Sequence, residues 1–240
     1  MERKGQKPRF RHELKYLINP GDKELIAERL RVVLTPDPHA VDGEYHIRSL
    51  YFDDYRDSAY YDKMGGFSGR RKYRIRFYNC DDRVIKLECK RKEGRYIYKR
   101  SAPLTREELD RIIRHDFSFL LARDEELCRE FYVQCVSSFM RPRVIVDYER
   151  EPYILDAGDV RVTFDKCVRA IAPMPDLFSR RLPSHWVLEP GKLVMEVKYT
   201  EFLPGLVKRV LPPRAAEMSA VSKYTLCYEK LRYLHGRTVY

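Results

Sequence analysis

The chain has 240 residues and a mass of 28.7 kDa, with 47 Lys and Arg against 36 Asp and Glu, a formal net charge of +11. Its 44% hydrophobic and 12% aromatic content excludes a disordered chain. A mean hydropathy of −0.57, with no apolar run near ~18 residues, excludes a helical membrane span. The length suits one large domain or two small ones, and the basic surplus points to a polyanionic partner: nucleic acid, anionic lipid or a phosphate compound.

Met1-Glu2-Arg3-Lys4-Gly5-Gln6 lacks the apolar core of a secretory signal. The cysteines at 80, 89, 128, 135, 167 and 227 form no C-x-x-C pair, so reduced thiols in a cytoplasmic protein are expected. Arg11, Glu13 and Lys15 alternate with Phe10, His12, Leu14 and Tyr16, the period of a strand. Leu25, Ile26, Leu30 and Val33 predict a helix over 20–34. From Arg70 to Arg100 thirteen cations face four acids, yet apolar residues are threaded between them. Lys72, Arg74 and Arg76 take one parity, and Tyr73, Ile75 and Phe77 the other. Asp81-Asp82 reads as a hairpin turn into a second strand, where Lys86, Glu88, Lys90 and Lys92 alternate with Ile85, Leu87 and Cys89. Gly94 leads into a third strand, Arg95 to Ser101.

Thr105 followed by Glu107 and Glu108 predicts a capped helix, and 124–139 a second one. The two are expected as a helical insertion at about 104–139 within a single domain spanning 9–235. Arg141 and Arg143 open a run through Val144, Ile145, Val146 and Tyr148 to Arg150. Arg161, Thr163 and Asp165 alternate with Val160, Val162 and Phe164, and Glu196 and Lys198 with Met195, Val197 and Tyr199. Pro173, Pro175 and Pro183 mark a loop. A short helix is expected from near Pro204 to Pro212-Pro213, and a longer one over 218–234. An α+β fold follows, mainly antiparallel.

A strand with a charged face in water over an apolar core would explain any one of these segments. Over six strands the charged faces are nearly all Arg, Lys and Glu, which favours side chains converging on an anion inside a barrel, with helices outside. The glycine-rich phosphate loops, H-E-x-x-H and the G-x-S-x-G elbow are absent from the sequence. His12, on the apolar parity, reads as a packed residue. Glu13, Glu88 and Glu196 each precede a lysine by two positions. In an enclosed basic channel such a carboxylate could hold a divalent ion bridging to phosphate.

Six segments occur in order: Phe10-Arg11-His12-Glu13-Leu14-Lys15-Tyr16, Arg48-Ser49-Leu50-Tyr51-Phe52-Asp53, Tyr73-Arg74-Ile75-Arg76-Phe77-Tyr78, Lys86-Leu87-Glu88-Cys89-Lys90, Met195-Glu196-Val197-Lys198-Tyr199 and Ser222-Lys223-Tyr224. The set resembles the VTC domain, the polyphosphate polymerase module grouped with the CYTH-like triphosphate tunnel metalloenzymes, in its bacterial stand-alone style. The resemblance implies an antiparallel β-barrel tunnel of about eight strands with helices packed outside. It implies transfer of the γ-phosphate of ATP onto polyphosphate with Mn²⁺ or Mg²⁺. Arg74, Arg76, Lys86, Arg143 and Arg161 would act on the phosphates, with Lys15, Lys90, Lys99, Arg150, Lys198 and Lys223 also binding them. Glu196 would carry the metal, with Glu13 and Glu88 as further carboxylates.

A metal-dependent inorganic triphosphatase or polyphosphatase would use the same residues, so ATP and polyphosphate or tripolyphosphate are the expected partners, without a transmembrane segment. A non-catalytic polyanion binder is the other alternative. Base stacking by a nucleic acid is disfavoured because the aromatics of these strands fall on the parity opposite the cations, and no specific nucleic acid is expected.

Overall fold

The computed structural model describes residues 12–94, 96–200, 202–211 and 221–236. The amino-terminal segment, Phe10, Arg11, Arg95, Pro212-Pro213 and positions 218–220 of the expected last helix lie outside the described residues. The strands are β1 (His12–Ile18), β2 (Thr35–Pro36), β3 (Tyr45–Asp53), β4 (Arg70–Tyr78), β5 (Asp81–Glu93), β6 (Tyr96–Leu104), β7 (Arg141–Leu155), β8 (Val160–Ile171), β9 (His185–Trp186) and β10 (Leu193–Tyr199). The helices are α1 (Pro20–Arg31), α2 (Ser58–Met64), α3 (Arg106–Ile113), α4 (Glu126–Ser137), α5 (Gly205–Val210) and α6 (Lys223–Leu234).

Local chemistry sets the helix starts. The Asn19 side chain accepts from the Asp22 amide ahead of α1, with Pro20 in the first turn. Thr105 and Glu108 cap α3 reciprocally, each side chain accepting from the other's amide. The hairpin turn between β4 and β5 falls at Asn79-Cys80, not at Asp81-Asp82. Both turn residues have φ of 53°, the left-handed geometry that a tight hairpin requires, and Asn tolerates it.

Eight strands form one antiparallel path in the order β1-β10-β8-β7-β3-β4-β5-β6. Among the described residues no ladder joins β1 to β6, so the curled sheet is a half-barrel. Across that gap the Glu13 carboxylate of β1 accepts from Lys90 of β5 at 3.0 Å. The register puts the charges of neighbouring strands opposite one another on one face: Arg74 against Glu88, Arg76 against Lys86, Lys15 against Glu196 and Arg150 against Asp165. This is the face that the period of two predicts.

The apolar parity is covered from outside. Leu109, Ile112, Phe131 and Cys135 of α3 and α4 pack on Tyr73, Ile75, Phe77 and Leu87. Ile26, Leu30 and Val207 of α1 and α5 pack on Tyr16, Val162, Phe164, Met195 and Val197. Helix α6 differs from the expectation of helices outside. Its Tyr224, Cys227, Tyr228 and Leu231 pack on Tyr45, Ile47, Val144 and Val146, on the inner face. That part of the inner face is apolar, so it needs a cover of its own.

Candidate functional site

The inner face of β1, β4, β5, β7 and β10, closed at one side by α2 and the start of α6, encloses a cleft of about 590 Å³. Eleven cations line it: Lys15, Lys63, Arg70, Lys72, Arg74, Arg76, Lys90, Lys92, Arg150, Lys198 and Lys223. Among the described residues, two carboxylates do, Glu13 and Glu196.

Arg74 and Arg76 are held in place before any ligand arrives. Arg74 donates to Glu88 at 2.7 Å and to the Tyr51 hydroxyl at 2.8 Å. Arg76, buried, donates to Ser49 at 3.0 Å and to the Tyr148 hydroxyl at 3.2 Å. Arg150 grips Asp165 with two bonds of 2.6 and 2.7 Å. Lys223 bonds Glu196 at 2.9 Å and pairs with Asp165. These counter-ions fix the guanidinium and ammonium groups, which lowers the cost of organising them around an anion.

Glu196 is surrounded: Lys198 lies at 2.8 Å, Lys223 at 2.9 Å, Arg150 at 3.4 Å and Lys15 at 3.6 Å. Burial alone would push its carboxyl up, but Lys198, Lys223, Lys15 and Arg150 hold it well below the usual range. Glu13 behaves alike, with Lys15 and Lys90 overcoming burial and lowering it to about 2. Lys72 has no such relief. Burial pushes it down to about 7, and Lys63, Lys15, Arg70 and Lys90 add to the effect. Lys90 goes down to about 8, because burial outweighs the attraction of Glu13.

Of the residues singled out from sequence, Lys15, Arg74, Arg76, Lys90, Arg150, Lys198, Lys223, Glu13 and Glu196 meet at the cleft. The others do not line it. Glu88 is 1% exposed and serves as counter-ion to Arg74 and Lys99. Lys86 sits beyond it, opposite Arg76 in the ladder. Arg161 has the inward parity but is tied to Asp37 at 2.6 Å and to Tyr45 at 2.7 Å. Arg143 sits at a register shift between β3 and β7, where it donates to the Asp54 carbonyl at 2.6 Å and faces Asp57 at 3.2 Å. His12 is exposed at the rim rather than packed in the core, stacked on Tyr199 at 4.9 Å.

Lys63, Arg70, Lys72 and Lys92 line the cleft too, outside the set of binding residues expected from sequence. Three of them share the parity of Arg74 or Lys90 and were open to that signal; Lys63 lies on α2, which no periodicity announced. Aromatic rings also stand on the charged face, contrary to the expectation from strand parity. Tyr51, Tyr148 and Tyr224 line the charged face from β3, β7 and α6. Their rings are covered by the protein's own cations: Arg74 at 5.7 Å, Lys223 at 5.1 Å and Lys72 at 4.7 Å from the respective centroids.

Among the described residues no group of three or more His, Cys, Asp or Glu is placed to hold a metal ion. Glu13 and Glu196 nevertheless face one another across Lys15 and Lys198. Two carboxylates suit a hard divalent ion that takes its other ligands from water and phosphate oxygens. The donor set therefore fits a metal shared with a bound phosphate chain, not a site built by protein alone.

A family model described as VTC domain matches residues 10–232. Among solved structures, the chain is similar to the PH1819 protein of Pyrococcus horikoshii OT3, with 15% identity and a TM-score of 0.48, covering 92% of this chain and 99% of that one. It is also similar to the bh2851 protein of Bacillus halodurans, with 9% identity and a TM-score of 0.47, covering 96% and 91%. No curated protein matches.

Proposed function

The chain belongs to the VTC domain family, and from that premise we propose that it moves the γ-phosphate of ATP onto a polyphosphate chain in this cleft. The observation that carries the reading is the lining: among the described residues, eleven cations converge on about 590 Å³ against two carboxylates. Phosphoryl transfer asks a protein mainly for positioning and charge stabilisation, and an excess of fixed cations supplies both. Arg74 and Arg76, fixed by Glu88 and Ser49, orient the phosphates. Arg150, Lys15, Lys72, Lys90, Lys198 and Lys223 balance their charge. Glu196 and Glu13 would hold Mn²⁺ or Mg²⁺, which would supply positive charge against that of the phosphates.

Helix α6 favours a second reading, metal-dependent hydrolysis of tripolyphosphate. It lies on the inner face beside the cleft and leaves less room for a long polymer to thread. Incubation with ATP and Mn²⁺, and separately with tripolyphosphate, tests both. Long acid-labile polymer from ATP supports the transferase, and orthophosphate alone supports the hydrolase. Binding without turnover of either, unchanged by Glu196→Ala, would identify a polyanion binder and refute both.

A further inference from the structure

The outer face of the sheet, behind the cleft, carries a second cavity of about 400 Å³. Its lining includes Cys80, His46, Asp147 and three arginines, Arg48, Arg169 and Arg180. Cys80 Sγ lies 3.6 Å from His46 Nδ1, and His46 Nε2 lies 2.8 Å from Asp147 Oδ2. We propose that this trio is a reactive thiolate site that exchanges with small acidic disulfides and carries a mixed disulfide on Cys80.

The order Cys, His, Asp is the arrangement that activates a thiol: a base beside the sulfur, oriented by a third group. The frame is rigid. Asn79 locks the turn onto β3, its side chain accepting from the His46 amide at 2.9 Å and its own amide donating to the His46 carbonyl at 3.0 Å. Asp147 is buried and fixed from two further sides, by Arg48 at 2.7 Å and by Arg169 at 2.9 Å. Arg48 also donates to the carbonyls of Leu177 and Ser179, both at 2.7 Å, which pins the cavity's outer loop.

The electrostatics agree with the geometry. Burial would lower His46, but the bonds to Asp147 and Cys80 raise it to about 9, so near neutral pH both ring nitrogens donate. Burial would raise Cys80, yet the His46 bond and the charge of Arg48 bring it below the ordinary thiol. Cys167 is an internal control. It is equally part-buried, and burial together with Glu149 pushes its thiol up. The other four cysteines are buried.

The substrate class follows from charge. Among the described residues, four cations, Arg48, Arg169, Arg180 and protonated His46, face the cavity against the carboxylate of Asp147, with Glu149 behind Arg169 at 3.7 Å. Arg180 is exposed at the mouth. In the step, Cys80 sulfur attacks one sulfur of the disulfide. The new S–S bond forms as the old one breaks, and the departing half leaves as a thiolate that takes a proton from solvent. The exchange needs no outside oxidant or reductant.

The test uses the whole protein with oxidised glutathione near neutral pH, beside the neutral bis(2-hydroxyethyl) disulfide, read by intact mass and peptide mapping. Cys80 is expected to form the adduct about tenfold or more faster than Cys167, with iodoacetamide alkylation inflecting below the ordinary thiol value of about 8.5. Arg180→Ala should slow the acidic disulfide but not the neutral one. The wild-type comparison decides without any variant: Cys80 reacting no faster than Cys167, or an ordinary alkylation profile, overturns the proposal.

Discussion

Lys72 gives the cleft a pH response that can be worked out in advance. Its Nζ has no carboxylate partner among the described residues; it donates to Ser222 at 3.3 Å and sits over the Tyr224 ring. With Lys72 down to about 7, its ammonium is half deprotonated at neutral pH in the empty protein. A bound polyphosphate would restore the proton, because its charge offsets that of the surrounding lysines. Affinity then scales with the protonated fraction, so it should weaken about tenfold between about pH 6 and 8, or about 1.4 kcal/mol. Lys90, at about 8, adds about a further twofold over the same interval. Lys72→Arg keeps the charge at every pH in that interval and should remove the tenfold part. Titration calorimetry of tripolyphosphate, with metal chelated and in buffers of different ionisation enthalpy, counts the protons taken up. Protonation of the ligand itself is common to both proteins and cancels in their ratio. An equal pH slope in parent and Lys72→Arg would refute the reasoning.

Glu196→Gln removes the counter-charge of Lys15, Lys198 and Lys223; we expect about 3 kcal/mol lost in denaturant unfolding, together with the metal-dependent turnover. Full turnover in that variant would show that Glu196 holds no metal. Tyr224→Phe takes away the hydroxyl that donates to Asp53 Oδ2 at 2.5 Å, a buried carboxylate that also anchors the amides of Ala59 and Tyr60. It should lower stability by about 1–3 kcal/mol, seen as a drop in Tm. Arg161→Ala should leave turnover near that of the parent, since Asp37 and Tyr45 already hold its guanidinium away from the cleft, whereas Arg76→Ala should abolish turnover with the circular dichroism unchanged. Glu13 and Glu88 are both lowered to about 2, so their stabilising contribution is complete above the ordinary carboxylate value and is lost as pH falls through about 2. Acid unfolding followed by circular dichroism should show that loss between about pH 4 and 2.

Much of the sheet was legible because its signal is local. Arg74 and Arg76 alternate with Ile75 and Phe77, and a strand sends alternate side chains to opposite faces whatever surrounds it. The capping residue Thr105 likewise acts within four positions of itself. Strand β3 gave no such signal. Tyr45, Ile47 and Tyr51 face inward against α6 while Leu50 and Phe52 face outward, so both of its faces are apolar.

The sequence alone determined which residues share a face, and with it the basic character of the inner surface. Tertiary structure decided which of those cations are available to a ligand. Lys72 meets Ser222 from 150 positions away, and Arg161 is claimed by Asp37 from 124 positions away. The same parity thus leads to a cleft in one case and to an internal ion pair in the other. Strand period is a property of a few consecutive residues; the choice of counter-ion depends on sheet curvature, register shifts and the seat of α6, which only the assembled chain fixes.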